Sequence, residues 1–122
     1  MPELPEVETI VRILKPVFVD KTIKGVKLFS PTIIHGDQKE FIKGLLGKKV
    51  TDLFRRGKYI CFGCEDGTTL TLHLKMTGKM VLKQQKQDKK YVRASLLFFN
   101  GCPLYFVDMR RFGRMRLWRA NE

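Results

Sequence analysis

From Glu6 onward, apolar residues recur as Val7, Ile10, Val11 and Leu14, followed by Val17 or Phe18. This i, i+3, i+4, i+7 spacing lines one side of an amphipathic helix. Pro5 suits its first turn, where a missing N–H has no partner to lose. Glu6 and Glu8 favour the positive end of the helix dipole. Past Pro16, the β-branched and apolar run from Thr22 to Phe29 reads as a strand, and Gln38 to Leu46, closed by Gly47, as a second short helix. After Lys48 the period changes to two. Leu70, Leu72 and Leu74 fall on one face, and Thr71, His73 and Lys75 on the other. Further strands are predicted at Val50–Arg55, Tyr59–Cys64, Met80–Lys83, Tyr91–Phe99, Leu104–Val107 and Met115–Trp118, with turns at Glu65-Asp66-Gly67 and Asn100-Gly101. The polar run Lys83–Lys90 is expected to be a mobile hairpin loop. These elements predict an α+β, mainly β fold. Its centre is an antiparallel β-sandwich of about eight strands, flanked by the N-terminal helix and the second short helix.

Composition bounds this picture. With 122 residues, 43% of them hydrophobic, the chain is long enough for one core and one domain, residues 1–122. Its 24 Lys plus Arg against 12 Asp plus Glu give a net charge of +12. Such a surface attracts polyanions, nucleic acid first, because bound phosphates release counterions. A ribosomal-type protein or one that sits on a membrane surface would share this balance. No stretch approaches the roughly 18 apolar residues of a spanning helix, and the acidic N-terminus does not resemble a secretory leader. Cys61, Cys64 and Cys102 are read as reduced cytosolic thiols. Cys61 and Cys64 have CxxC spacing, but within a strand they would point to opposite faces. A closed zinc site needs four ligands, so no metal is expected in this chain.

The first six residues carry candidate chemistry. Removal of Met1 would leave Pro2 with a free secondary amine, whose ordinary pKa of roughly 8 keeps a substantial neutral fraction near physiological pH. The helix dipole that follows disfavours the protonated amine. Glu3 and Glu6 are carboxylates of the kind a Schiff-base route at a sugar requires to move protons. The plainer reading of the same residues is a Pro-containing helix start with an acidic first turn.

Pro2-Glu3-Leu4-Pro5-Glu6-Val7-Glu8-Thr9 resembles the opening signature of the formamidopyrimidine-DNA glycosylases, also called 8-oxoguanine DNA glycosylase/AP lyases. Three further blocks agree in order: Arg55-Arg56-Gly57-Lys58-Tyr59, His73-Leu74-Lys75-Met76-Thr77-Gly78 and Asp108-Met109-Arg110-Arg111-Phe112-Gly113. The related endonuclease VIII branch, which prefers oxidised pyrimidines, shares the Pro-Glu start but usually lacks the continuation and the paired Arg before Phe-Gly. The resemblance implies that Pro2 attacks C1′ of a damaged nucleotide, that Glu3 is the acid and proton shuttle, and that Glu6 orients the site. Lys58, grouped with these catalytic residues, and His73 would hold phosphates beside the lesion, with Arg111 as a further phosphate contact. Met76, Arg110 and Phe112 would fill the gap left by the extruded nucleotide. An enzyme acting at C1′ must take the nucleotide out of the stack, and a flexible apolar filler, a planar donor fork and an aromatic wedge suit the hole that remains. Taken singly, Met76 and Phe112 would also suit a core, and Arg110 and Arg111 a solvated pair.

Two positions depart from the pattern. Met109 stands where Pro is usual, and Lys90-Tyr91-Val92-Arg93 stands where a Lys-His-x-His run is common, which weakens any role for the latter. The family's helix–two-turn–helix segment and zinc finger are expected to be absent from this chain, so zinc is expected only there, and the chain is expected to be an N-terminal catalytic domain. The expected function is base excision repair of oxidised purines by a bifunctional glycosylase/AP lyase, weak or inactive as an isolated domain. The expected partner is double-stranded DNA containing oxidised purines or abasic sites. No protein partner is expected, and the protein is expected to be a monomer in a bacterial-type cytoplasm. The alternatives are a non-catalytic, salt-sensitive binder of damaged DNA and an endonuclease VIII-like glycosylase.

Overall fold

The computed structural model describes residues 3–122, so Met1 and the expected nucleophile Pro2 lie outside the described residues. Helix α1 spans Leu4–Phe18. Its start is fixed locally: the Glu3 N–H donates to the Glu6 carboxylate at 3.1 Å, and the Thr9 hydroxyl donates to the Pro5 carbonyl at 2.8 Å. Pro16 lies inside the helix. Its missing N–H removes a bond only in the last turn, and the helix continues far enough to bury Phe18 completely. Val7, Val11 and Leu14 are buried with it, so the predicted stripe is the core face, and Phe18 rather than Val17 completes it. Helix α2 is Gln38–Leu45. The carboxylate of Asp37 accepts from the Glu40 N–H at 2.9 Å and starts it.

Eight strands follow the predicted order: β1 Ile23–Leu28, β2 Val50–Arg56, β3 Tyr59–Cys64, β4 Thr69–His73, β5 Gly78–Val81, β6 Val92–Phe98, β7 Pro103–Asp108 and β8 Arg114–Trp118. They form two four-stranded antiparallel sheets, ordered β1-β6-β7-β5 and β2-β3-β4-β8. The period-two positions face inward as expected. Leu70, Leu72 and Leu74 meet Ile60 and Phe62 from one sheet and Leu96, Phe98, Leu104 and Phe106 from the other in one cluster. Phe18 joins it, its ring 4.5 Å from that of Phe98. Each such side chain contributes about 1.5–3 kcal/mol by leaving water. Cys64 belongs to this cluster, whereas Cys61, three residues away on β3, sits on the outer face of its sheet.

The expected mobile loop at Lys83–Lys90 is corrected. Lys86–Tyr91 form a 3-10 helix. Asp88 is only 2% exposed. Its carboxylate accepts the Gln85 N–H at 3.0 Å and pairs with Lys79 at 2.9 Å. Composition alone suggested solvated chain, but one acid at the third helical position gives the run a local cap.

The sandwich has two unlike ends. The turns at Glu65–Gly67 and Asn100–Gly101 lie at one. The β2–β3 turn and two of the three connections that cross between the sheets, β4 to β5 and β7 to β8, lie at the other; the third, β1 to β2, runs through α2.

Candidate functional site

The β2–β3 hairpin turns through Gly57, whose φ of +58° is costly for most side chains. Arg55 anchors the hairpin to α1. Its Nε donates to the Glu8 carboxylate at 2.7 Å and its other nitrogen to the Gly57 carbonyl at 2.9 Å. This brings Lys58 Nζ to 3.6 Å from Glu3 Oε2 at the head of α1, where Glu6 already holds the Glu3 N–H. Three of the four expected catalytic residues, Glu3, Glu6 and Lys58, therefore share one place. The fourth, Pro2, lies outside the described residues.

Tyr59 and His73 are cross-strand partners, with ring centroids 4.9 Å apart edge to face. His73 Nδ1 accepts the Lys75 N–H at 3.0 Å. Burial lowers its pKa, and the nearby positive charges of Lys75 and Lys58 add to the effect. A neutral imidazole whose Nδ1 is an acceptor carries its proton on Nε2, so His73 presents a single N–H donor outward.

Beyond His73, the segments 74–78 and 108–114 project as two neighbouring tips. Met76 and Phe112 are exposed large apolar residues, 52% and 45% accessible, so neither is core. The Arg110 guanidinium lies 5.8 Å from the Phe112 ring centre. Each tip holds a non-glycine residue in the left-handed region, Lys75 and Arg111, both at φ 58°. Such residues persist only where the surroundings hold them.

What holds them is Asp108, a carboxylate with no solvent exposure. It accepts a short hydrogen bond from the Thr77 hydroxyl on the first tip, one from the Gly113 N–H at 2.7 Å and a longer one from the Arg110 N–H at 3.3 Å on the second. The Thr77 oxygen also accepts from the Arg110 N–H at 3.3 Å. Gly113 is obligatory here, because a Cβ would collide with the Phe106 ring and crowd the Asp108 carboxylate. Arg93 closes the arrangement from β6. It donates to the carbonyls of Asp108 at 2.8 Å and Met109 at 3.3 Å, and lies 3.5 Å from the Ser30 hydroxyl. Burial lowers its pKa from the usual guanidinium value, with Arg111 adding to the effect.

The reduced role expected for the Lys90–Arg93 run is thus corrected at Arg93. Thr77, Asp108 and Arg93 are the positioning residues that sequence reasoning did not single out. Asp108 left a signal, since it shares the inward phase of Leu104 and Phe106. Arg93 left none. Strict alternation from Ala94, Leu96 and Phe98 points it outward, and only the bulge between Val92 and Ala94 turns it in.

All eight described candidates, Glu3, Glu6, Lys58, His73, Met76, Arg110, Arg111 and Phe112, lie at the same end of the sandwich. This two-sheet sandwich is shared with solved DNA glycosylases of one kind, the formamidopyrimidine-DNA glycosylases. The Lactococcus lactis formamidopyrimidine-DNA glycosylase bound non-covalently to AP-site DNA matches with a TM-score of 0.86 at 30% identity, covering 98% of this chain and 46% of that one. A Lactococcus lactis complex with FAPY-dG-containing DNA matches with a TM-score of 0.87 at 30% identity, covering 98% and 45%. The chain belongs to the formamidopyrimidine-DNA glycosylase family, whose N-terminal domain matches residues 1–115. The formamidopyrimidine-DNA glycosylase of Lactobacillus gasseri is 41% identical over 118 residues, which is 96% of this chain and 43% of the relative. That of an Exiguobacterium strain is 41% identical over 124 residues, 100% of this chain and 44% of the relative. The chain therefore spans less than half the length of these relatives.

Proposed function

We propose that this chain carries the catalytic half of a DNA glycosylase/AP lyase that removes oxidised purines from double-stranded DNA in base excision repair. The observation that carries the proposal is the convergence of Glu3, Glu6 and Lys58 at the head of α1, beside two rigidly held tips that expose Met76, Arg110, Arg111 and Phe112. With Met1 removed, the Pro2 nitrogen attacks C1′. The C1′–N bond breaks, and the base leaves with the electron pair and takes up a proton. The nitrogen gives up its N–H proton, and Glu3 protonates the ring oxygen, which departs from C1′ with the C–O electron pair as the C1′=N iminium forms. Loss of a C2′ proton then expels the 3′ phosphate, and loss of the C4′ proton expels the 5′ phosphate.

Lys58, Arg111 and the Nε2–H of His73 serve as phosphate donors. Met76, Arg110 and Phe112 fill the vacated position in the stack, offsetting an unstacking cost of a few kcal/mol. The charge balance of the chain supports a polyanionic substrate. Partner and compartment follow the same reading: damaged duplex DNA, no protein partner, a bacterial cytoplasm.

Borohydride trapping tests this. Protein with Met1 removed is incubated with duplex containing 8-oxoguanine opposite cytosine, an oxidised pyrimidine, or an abasic site. The expected result is a covalent adduct, strongest with abasic DNA and lost on Pro2→Gly but not on Phe112→Ala. DNA retention without any adduct would leave only a salt-sensitive binder, and preference for the pyrimidine lesion would favour the endonuclease VIII-like alternative.

A further inference from the structure

The outer face of the β2-β3-β4-β8 sheet is a groove of about 940 Å³. Strand registers lay its side chains in rows. Arg56, Tyr59, His73 and Arg114 cross all four strands at the candidate-site end, followed by Phe54, Cys61, Thr71 and Arg116. Gly63, Thr69 and Trp118 come next. Beyond the Tyr59–His73 pair the floor along β3 and β4 is made of small residues, Cys61, Gly63, Thr69 and Thr71, and the walls are aromatic and cationic. From Thr69 to His73 the groove runs roughly 13 Å along the strand.

The walls carry planar cations. The Arg116 guanidinium lies 3.7 Å from the Trp118 ring centre, and the indole is pinned by its N–H to Thr71 Oγ1 at 3.0 Å. On the opposite wall Arg56 lies 5.9 Å from the Phe54 ring centre, and Tyr59 is 45% exposed. Four arginines line the groove, Arg56, Arg114, Arg116 and Arg119, against one acid among its described residues, Glu122. Glu122 sits 4.0 Å from Arg116, and Arg119 reaches Glu40 outside the groove at 3.4 Å.

We infer that this groove binds single-stranded nucleic acid, as a site separate from the head of α1. Cation excess selects a polyanion. Exposed planes beside a small-residue floor select one whose bases are unstacked and free to lie on them, which a duplex cannot offer. The Arg56–His73 row at the mouth makes the groove continuous with the candidate site, so a strand held at His73 is led along β3 and β4 toward Trp118. The inference rests on the DNA reading for the nature of its ligand and uses none of the catalytic residues.

The chain's single tryptophan stands in the groove and reports on it directly. Short oligothymidylate should quench Trp118 fluorescence saturably. Arg116→Ala should weaken the affinity roughly tenfold, the scale of one stacked base, and lower the log–log salt slope by about 0.7. Arg56→Ala on the other wall should weaken binding in the same direction. Urea midpoints of both variants establish that they are folded. No quenching, equal quenching by duplex of the same length or by polyglutamate, or affinity unchanged in both folded variants would overturn the inference. Trapping on abasic duplex is run in parallel: quenching without an adduct leaves this site standing and sinks the catalytic proposal, and an adduct without quenching does the reverse.

Discussion

Replacing Asp108 should unfasten both tips at once. In the native protein its carboxylate takes a short bond from the Thr77 hydroxyl, a 2.7 Å bond from the Gly113 N–H and a weaker one from the Arg110 N–H, all away from solvent. Hydrogen bonds to a charged acceptor are worth about 1.5–3 kcal/mol each, and buried donors left unmatched keep their full desolvation cost. Asp108→Ala loses two strong bonds and should cost about 3–5 kcal/mol. Asp108→Asn keeps the shape and one acceptor. With its oxygen toward Gly113 and its amide toward the Thr77 oxygen, it should cost only about 1.5–3 kcal/mol. Urea unfolding at constant m-value measures both, and each kcal/mol should lower the melting temperature of a chain this size by roughly 4 °C. A double-mutant cycle with Thr77→Val should show coupling, because the two residues share one bond. Under the proposed function, Asp108→Asn should reduce excision of 8-oxoguanine more than trapping on abasic DNA, since gap filling matters more when a base must first be extruded. A cost below about 1 kcal/mol for Asp108→Ala, or no coupling to Thr77, would refute the clamp.

Other expectations follow from the same structure. The His73 imidazole should titrate below its ordinary value of 6.5 and carry its proton on Nε2. Because folding lowers this pKa, the associated stability is present above 6.5 and lost as pH falls through the folded value. Imidazole nitrogen chemical shifts report both, and an Nδ1–H tautomer would contradict the geometry. Asp66, held at about 2 first by the Lys48 hydrogen bond and then by the Thr68 N–H, should stabilise the fold above about 3.8 and lose that contribution as pH falls toward about 2. Its partial exposure should limit the effect to about 1 kcal/mol or less, and Asp66→Asn should flatten that limb of the urea midpoint. Burial pushes Cys64 up to about 11 and raises Cys61, so iodoacetamide at mildly alkaline pH should label partly exposed Cys102 first. Equal labelling of Cys64 in native protein would show that β3 opens readily.

The sandwich was legible because its strands keep one buried and one outward face. Leu70, Leu72 and Leu74 announce β4 and its inner side without further information. The stripe of α1 was equally plain, except that a helix running through Pro16 to bury Phe18 is a matter of tertiary contact rather than local preference. Motif residues located the candidate site, but not what holds it. Arg93 is turned inward by a bulge that follows from the pairing of β6 with β7, and pairing is not written in either strand alone. The Lys83–Lys90 run was misjudged for a related reason: one acid among lysines looks like solvent-facing charge until Lys79 and the Gln85 N–H are brought to it. The groove rows likewise depend on register, which aligns Arg56 with Tyr59 and His73 and brings in Arg114 from β8, distant in sequence.

Two of the three connections that pass between the sheets, β4 to β5 and β7 to β8, run side by side at one end, tied by Asp108. These two crossings form one seam, and the two ends of the sandwich should answer differently to engineering. At the Asn100–Gly101 turn a side chain on Gly101 would have open space but would be strained by its φ of +85°, so a tether placed there should keep that glycine. One extra residue between Leu74 and Gly78, or between Asp108 and Gly113, would drop a stitch. It would shift one tip against the other and change the spacing of Met76, Arg110 and Phe112, while the sheets behind them stayed intact.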